Sequence, residues 1–238
     1  MFDIHTHLLF GIDDGAADIE ISKRMLEVMR EIGTETVVCT PHFKRSVSEL
    51  GAFVRDREAA FCTLEPIAAE YGIKLLRGAE VHYSPGLLGL DADAGALCIE
   101  GTRNILLEMP SGRLWNKTDY ENISKFCDYY NVRPVIAHIE RNYAVSKSLK
   151  YADELAAIGA RFQLDASSVY TPIWSKLSKK LLKKGYISAI ASDAHNVEIR
   201  TPEVLRTAYA LIEKQFGAEF VRELKRGAAA FCESQGNE

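Results

Sequence analysis

Short apolar segments rich in β-branched residues alternate with segments of helical spacing. This alternation limits the possible folds more than any other feature of the chain. The apolar segments are predicted as seven strands, at residues 2–4, 36–40, 74–79, 104–108, 134–138, 161–164 and 187–191. Strands that alternate with helices pair in parallel and carry the helices outside. Seven such units can close, or nearly close, into a barrel, so we expect an α/β fold.

The helices are predicted from apolar residues that recur every three or four positions. In the first helix, the stripe runs from Ile21 to Ile32, Asp18 or Ser22 could cap the start, and Gly33 ends it. Six further helices are predicted at residues 47–71, 118–131, 150–158, 174–184, 202–216 and 218–231.

Length and composition favour one folded domain. The chain has 238 residues, of which 47% are hydrophobic, and a formal net charge of −4. A chain this long buries roughly 70% of its unfolded surface, so a full core is expected. We expect a single domain at residues 1–232 and a polar, frayed tail at 233–238. The acidic balance argues against a nucleic-acid partner, and no apolar run approaches the ~20 residues of a membrane span.

The cysteines indicate a reducing compartment. They are Cys39, Cys62, Cys98, Cys127 and Cys232, an odd and widely spaced set with no CxxC pair. A disulfide framework or a cysteine zinc site is therefore not expected. Met1 leads directly into an acidic, histidine-containing strand, so no signal peptide is expected either. Together these features predict a cytoplasmic protein.

Histidines and carboxylates recur at the ends of the predicted strands. In a parallel α/β barrel this is the face that carries the active site. Residues two apart on an extended chain point to one face, which applies to His5 and His7 and is expected for Asp193 and His195. The candidate metal ligands are His5, His7, Asp14, His42, Glu80, Glu108, His138, Asp193 and His195.

Imidazoles and carboxylates without thiolates suit Zn²⁺, Mn²⁺ or Fe²⁺. The nine candidates exceed one tetrahedral site and suit two or three ions, with one carboxylate bridging. Such a site can produce hydroxide from water and hold a phosphate during displacement. The positive charge of three divalent ions would exceed the negative charge of the four carboxylates. Arg141 and Arg200 follow ligand histidines closely in sequence. Two guanidinium groups beside a cationic cluster suit a phosphate dianion; each arginine alone could equally form a surface ion pair.

The ordered set of motifs resembles the polymerase-and-histidinol-phosphatase (PHP) superfamily. The motifs are His5-x-His7, Pro41-His42, Gly78-Ala79-Glu80, Glu108, Ala137-His138-Ile139-Glu140-Arg141 and Ser192-Asp193-Ala194-His195-Asn196. The opening Asp3-Ile4-His5-Thr6-His7 and the following Asp13-Asp14-Gly15 are similar to those of bacterial capsule-type, manganese-dependent tyrosine-protein phosphatases. The resemblance extends from residue 2 to about residue 200, and the whole set is far more specific than HxH alone.

This resemblance implies a distorted, TIM-like (β/α)7 barrel of the PHP type with three divalent metal ions, Mn²⁺ first and Fe or Zn as alternatives. One ion would be held by His5, His7, Glu80 and Asp193. The second would be held by Glu80, Glu108 and His138, and the third by Asp14, His42 and His195. Arg141 and Arg200 match arginines that bind phosphate. The implied partner is the phosphotyrosine-bearing tail of a bacterial tyrosine kinase that controls capsule or exopolysaccharide synthesis.

Two features depart from the family pattern. His82 is not used by the metal assignment. It shares a face with Glu80 and could contact a ligand or the substrate, and the alternative is a packed pocket residue. The segment 226–231 lacks the Asn-Pro expected near the last helix, which leaves the chain end and the oligomeric state open.

Cysteine chemistry is one rival interpretation. Residues 39–46 fit the C-x5-R-S pattern of cysteine-based tyrosine phosphatases, whose loop of backbone N–H groups cradles phosphate. Pro41 removes one of these N–H groups, and no glycine lets the loop curl tightly. We therefore expect Cys39 to be a small buried residue of the second strand.

The sequence leaves two other functions open. A small-molecule phosphatase, such as a histidinol-phosphate phosphatase, would use the same metals but needs a deeper pocket with a carboxylate for the substrate amine. A metal-stabilised scaffold without turnover is disfavoured, because the full ligand set and both arginines are present.

Overall fold

The computed structural model describes residues 1–90, 93–172 and 175–233. Within these ranges there are nine strands: β1 (Phe2–Thr6), β2 (Thr36–Cys39), β3 (His42–Phe43), β4 (Lys74–Arg77), β5 (Glu80–His82), β6 (Asn104–Glu108), β7 (Arg133–Ile136), β8 (Arg161–Asp165) and β9 (Ile187–Ala191). The α-helices of the same ranges are α1 (Ile19–Glu31), α2 (Leu50–Glu70), α3 (Lys117–Tyr130), α4 (Tyr143–Lys147), α5 (Lys150–Ala157), α6 (Ser175–Lys183), α7 (Val204–Phe216) and α8 (Ala218–Cys232). The α/β class is confirmed.

The strands form two parallel sheets, in the orders β1-β2-β4 and β3-β5-β6-β7-β8-β9. Backbone hydrogen bonds continue beyond the strand ends. The N–H of Asp193 donates to the carbonyl of His5 at 2.9 Å, and the N–H of His7 donates to the carbonyl of Ala194 at 2.8 Å. The segment after β9 is thereby held beside the end of β1.

Two predicted strands end earlier than expected, and each is followed by a further short strand that the sequence pattern did not predict. The predicted strand 36–40 ends at Cys39, since Pro41 has no N–H to donate, and β3 follows. The predicted strand 74–79 ends at Arg77, and Glu80 begins β5 instead of ending the strand before it. Between them, a Cβ on Gly78 would lie 2.8 Å from Val38 Cγ1, so glycine permits this close approach.

Helix α1 starts where the sequence predicts it. Asp18 is the cap, because its side chain accepts a hydrogen bond from the N–H of Ile21 at 3.0 Å. Ser22, the alternative, is buried and donates to the carbonyl of Leu8. Gly33 follows the helix with a φ of +78°, a conformation that glycine adopts readily.

The core is divided by the sheets. One cluster joins α1 and α2 to β2 and β4 through residues such as Met25, Phe61 and Leu75. Another joins inner strand residues such as Ile4 to Phe231 of α8. The atypical last helix is thus part of the core. Residue 174 of the predicted fifth helix and residues 234–238 of the predicted tail lie outside the described residues.

Candidate metal centre

The predicted ligands gather near the carboxyl ends of the strands. Eight of them form three overlapping groups of donor atoms: His5, His7, Glu80 and Asp193; His7, Asp14, His42 and His195; and His42, Glu80 and Glu108. Within each group the donor atoms lie within 4.8 Å of one another. The ninth, His138, places its Nε2 2.7 Å from Oε1 of Glu80. All nine candidates therefore belong to one continuous cluster.

The first group is fully buried and has the geometry of a cation site. Nε2 of His5 lies 3.1 Å from Oε2 of Glu80 and 3.3 Å from Oδ1 of Asp193. Nε2 of His7 lies 3.2 Å from the same Glu80 oxygen and 3.4 Å from the same Asp193 oxygen. The two imidazole and two carboxylate donors thus face one another, an arrangement that suits a divalent ion.

Unpaired polar atoms support this fit. Oδ1 of Asp193 and Nδ1 of His42 are buried and make no hydrogen bond. A buried polar atom without a partner costs about 1–3 kcal/mol. Both atoms belong to the donor groups, where coordination of an ion would satisfy them.

The second group reaches the surface. Oδ1 of Asp14 lies 3.4 Å from Nε2 of His42 and 3.6 Å from Nε2 of His195. The Asp14 side chain is 63% exposed, whereas His195 is buried. This group is therefore the part of the cluster that solvent or a ligand meets first.

The third group differs in membership from the set that the resemblance implies. The structure places His42, not His138, with Glu80 and Glu108: Nδ1 of His42 lies 3.1 Å from Oε2 of Glu80. Strand pairing explains this, because β3 and β5 align His42 directly beside Glu80. His138 contacts the other oxygen of Glu80. Glu80 therefore touches donors on both sides, as a bridging carboxylate would.

Neighbouring imidazoles hold the buried carboxylates Glu80 and Asp193 in their ionised form. Burial opposes ionisation of Glu80, but His5 and His138 hold the pKa of its carboxyl well below the usual value. Burial likewise opposes the charge of His7, but its contacts with Asp13 and Asp193 raise the pKa of His7 well above its usual value. The ionised carboxylate is the form in which Asp and Glu bind a metal ion.

His195 is suited to coordination at neutral pH. Burial and the charge of His7 lower its pKa to about 4. Burial also lowers the pKa of His42, although the charge of Glu80 acts to raise it. Neutral imidazole is the form that binds a metal ion.

The backbone is strained at two of the candidates. His138 has a φ of +30° and Asp193 has a φ of +52°. Both lie in the left-handed region, which residues other than glycine rarely adopt. Strain of this kind gathers at functional sites, where the surrounding structure holds it. The expected alternation of Asp193 and His195 along an extended chain is wrong, because β9 ends at Ala191 and the chain turns at Asp193.

Three residues that support the cluster were not identified as functional from the sequence. Oδ2 of Asp13 lies 2.7 Å from Nδ1 of His7. Oε1 of Gln163 lies 3.3 Å from Nδ1 of His5 and accepts a hydrogen bond from the N–H of His138. Partners at Nδ1 direct the Nε2 of each imidazole toward the cluster. Asp13 belongs to the Asp13-Asp14-Gly15 motif, whereas no motif in the sequence indicated Gln163.

Gly15, the third missed residue, lets the Asp13–Asp14 turn approach β1. A Cβ at this position would lie 2.3 Å from the carbonyl oxygen of His7. No side chain fits there without moving the backbone. The glycine therefore holds Asp13 and Asp14 against the end of β1.

Both predicted arginines meet at one carboxylate of the cluster. Nη1 of Arg141 lies 2.7 Å and Nη2 of Arg200 lies 2.5 Å from Oδ2 of Asp193. Arg141 also contacts Asp165, and Nη1 of Arg200 lies 2.6 Å from Nε2 of His195. Their side chains are 28% and 36% exposed, so each links the buried donors to the solvent.

His82 contacts a candidate ligand rather than packing in the interior. Its Nδ1 lies 3.0 Å from Oε2 of Glu108, and its side chain is 40% exposed. The pairing of β5 with β6 sets His82 beside Glu108. His82 thus steadies Glu108 from the solvent side.

Cys39 lies away from the surface. It is fully buried in β2, within the cluster that includes Leu75, and burial raises the pKa of its thiol far above the usual value. A nucleophilic cysteine needs a thiolate. Arg45 of the same motif contacts Glu49 and the carbonyl of Gly89. The geometry disfavours the cysteine mechanism.

Parallel strands with clustered imidazoles and carboxylates at their carboxyl ends define a metal-binding α/β protein. A family model described as capsular polysaccharide synthesis, CpsB/CapC, matches residues 1–231. The chain belongs to this family.

Known relatives agree with this assignment. The chain is 28% identical over 240 residues to the tyrosine-protein phosphatase CpsB of Streptococcus pneumoniae, with 94% of each chain covered. It is 27% identical over 245 residues to the tyrosine-protein phosphatase YwqE of Bacillus subtilis, covering 99% of this chain and 92% of the relative.

Solved structures agree as well. A structure from work on YwqE of Bacillus subtilis and CpsB of Streptococcus pneumoniae, described as unique metal-dependent tyrosine phosphatases, superposes with a TM-score of 0.86. The identity is 27%, and 100% of this chain and 96% of that chain are covered. A PTE-like lactonase of Deinococcus radiodurans has a TM-score of 0.56 at 14% identity, covering 97% and 94%, which is a likeness of fold alone.

Proposed function

We propose that this protein is a metal-dependent protein-tyrosine phosphatase. The observation that carries the proposal is the meeting of Arg141 and Arg200 at Asp193, on the solvent side of a buried group of metal donors. Paired guanidinium groups bind the oxygens of a phosphate dianion, and divalent ions beside them suit phosphoester hydrolysis. The tyrosine-phosphatase names of the relatives support the choice of substrate.

The metal ligands are proposed as predicted from the sequence. They are His5, His7, Asp14, His42, Glu80, Glu108, His138, Asp193 and His195. The donor groups support three divalent ions, with Mn²⁺ the expected metal and Fe or Zn the alternatives. Bound ions of this kind supply hydroxide at neutral pH and neutralise charge on phosphoryl oxygens.

The remaining steps rest on the protein's own side chains. Arg141 and Arg200 bind the phosphoryl oxygens that develop negative charge during hydrolysis. Asp165 orients Arg141, since the two side chains are in contact and Asp165 is buried. Asp13 and Gln163 orient His7 and His5.

The proposed substrate is the phosphotyrosine-bearing tail of a bacterial tyrosine kinase that controls capsule or exopolysaccharide synthesis. Support comes from the CpsB/CapC family description and from the names of the relatives. We propose a cytoplasmic location, because the five cysteines are free and three of them are buried. None of the helices in the described ranges is both long and apolar enough to cross a bilayer.

We also propose that residues 1–232 form one domain and that the two sheets make up a distorted, TIM-like (β/α)7 barrel of the PHP type. The hydrogen bonds between the end of β1 and the segment after β9 support closure. Two short strands that the sequence did not predict, β3 and β5, account for the nine observed strands in the described ranges against seven predicted ones.

The test combines metal analysis with turnover. Protein stripped by a chelator and reloaded with Mn²⁺ is assayed on a phosphotyrosine peptide, the matched phosphoserine peptide and histidinol phosphate. We expect hydrolysis of the phosphotyrosine peptide only after reloading. Preference for histidinol phosphate would support the small-molecule alternative, and full activity of metal-free protein would refute the metal mechanism.

A further inference from the structure

A cavity of about 520 Å³ opens beside the second donor group, between the loop after β1 and the segment that joins β3 to α2. Its size falls in the range of about 300–1,000 Å³ that is typical of small-molecule sites. Asp14 and His42 line it, so the cavity and the candidate metal centre share two side chains. Neither Arg141 nor Arg200 lines it.

One wall of the cavity is apolar. Ile12, Val47 and Phe53 contribute this wall. Val47 is 78% exposed, although a valine normally packs against other apolar groups. It sits in a turn that is closed by a hydrogen bond from its own N–H to the carbonyl of Lys44. Together with Ile12 and Phe53 it forms an apolar wall beside polar metal donors, a combination that is typical of ligand pockets.

Arg200 lies close to the cavity. It contacts Asp193, and its Nη1 lies 3.9 Å from Oδ2 of Asp14, which lines the cavity. A phosphoryl group held by the arginines and the donor groups would therefore lie next to the cavity, which leaves room there for the group bonded to its ester oxygen.

We infer that this cavity receives the aromatic ring of an aryl phosphate ester, with Val47 as a specificity-determining contact. The inference rests on the proposed function and deepens it by naming the part of the site that selects the leaving group. A tyrosyl ring is rigid and reaches the apolar wall directly from the phosphate. The short aliphatic stem of a phosphoserine leaves that wall bare.

The test measures binding and turnover separately. Calorimetry on Mn²⁺-loaded protein compares phenylphosphonate with methylphosphonate, two non-hydrolysable anions that differ in the ring. We expect phenylphosphonate to bind more tightly to the unaltered protein, and Val47→Ser to narrow this preference by about tenfold, the scale of one lost methylene contact. Leu211→Ser, at another exposed apolar residue on α7, is the matched control and should preserve the preference.

Turnover is measured in parallel as kcat/KM for phenyl phosphate, a phosphotyrosine peptide and a phosphoserine peptide. Val47→Ser should slow both aryl esters by about tenfold and leave the phosphoserine peptide unchanged. Equal binding of the two phosphonates would overturn the inference. So would a Val47→Ser variant whose loss of kcat/KM is confined to the peptides. A ring preference in binding without hydrolysis of any ester would overturn the proposed function and leave the cavity assignment standing.

Discussion

Oδ2 of Asp13 lies 2.7 Å from Nδ1 of His7, on the side of the ring away from the other metal donors. The same oxygen accepts a hydrogen bond from the N–H of His42 at 2.8 Å. These contacts and the charge of His7 lower the pKa of Asp13 to about 2, although burial opposes its ionisation. One carboxylate thus links the His7 side chain, just after β1, to the backbone of His42 in β3.

Replacing Asp13 should weaken metal binding without removing a ligand. Asp13→Asn keeps the shape but removes the charge that holds His7, and losing such a partner typically costs about 10–100-fold in metal affinity. The check is the Mn²⁺ concentration that gives half-maximal activity, compared with Asp128→Asn on the exposed face of α3. An unchanged Mn²⁺ requirement would mean that Asp13 serves only the local turn.

Glu80 and His195 should differ in their effect on metal content. Glu80 contacts donors of two groups, so Glu80→Gln should lower the number of bound ions by more than one. His195 belongs to a single group, and His195→Ala should affect only that ion. Metal counted per chain after gel filtration decides the matter, and equal losses in the two variants would contradict a bridging Glu80.

The arginines should be needed for rate and not for metal. Removing one contact to developing charge typically costs about 10²–10³ in rate, so Arg141→Ala and Arg200→Ala should each lose kcat/KM on that scale. Lysine at either position should restore only part of the rate, because an ammonium lacks the planar guanidinium fork. Metal content should stay near normal. Near-normal rates in both alanine variants would identify the arginines as ordinary surface residues.

Cys39 should be dispensable for catalysis. Cys39→Ser should keep kcat/KM within a few-fold, since the thiol is buried and protonated. The buried hydroxyl would lower the free energy of unfolding by about 1–3 kcal/mol unless it finds a partner. Denaturant unfolding checks the stability, and a rate loss of several orders of magnitude in folded, metal-loaded protein would revive the cysteine mechanism.

Residues close in sequence were predicted more reliably than contacts between distant segments. The cap at Asp18 and the end of α1 before Gly33 follow from local backbone chemistry, and the structure confirms both. Alternation failed at Asp193, because its positive φ depends on how the chain after β9 meets β1. The pairing of Glu108 with His42, and not with His138, likewise depends on strand register.

The sequence by itself determined the parallel α/β class, the family and the candidate donor side chains, because strand–helix alternation and ordered motifs are properties of the linear chain. Only the tertiary structure decided how those donors group, that Gln163 supports His5, and that Val47 stands exposed beside Asp14 and His42. These relationships arise where segments far apart in the chain pack together. Their geometry depends on the register and bending of several strands at once, which no local pattern encodes.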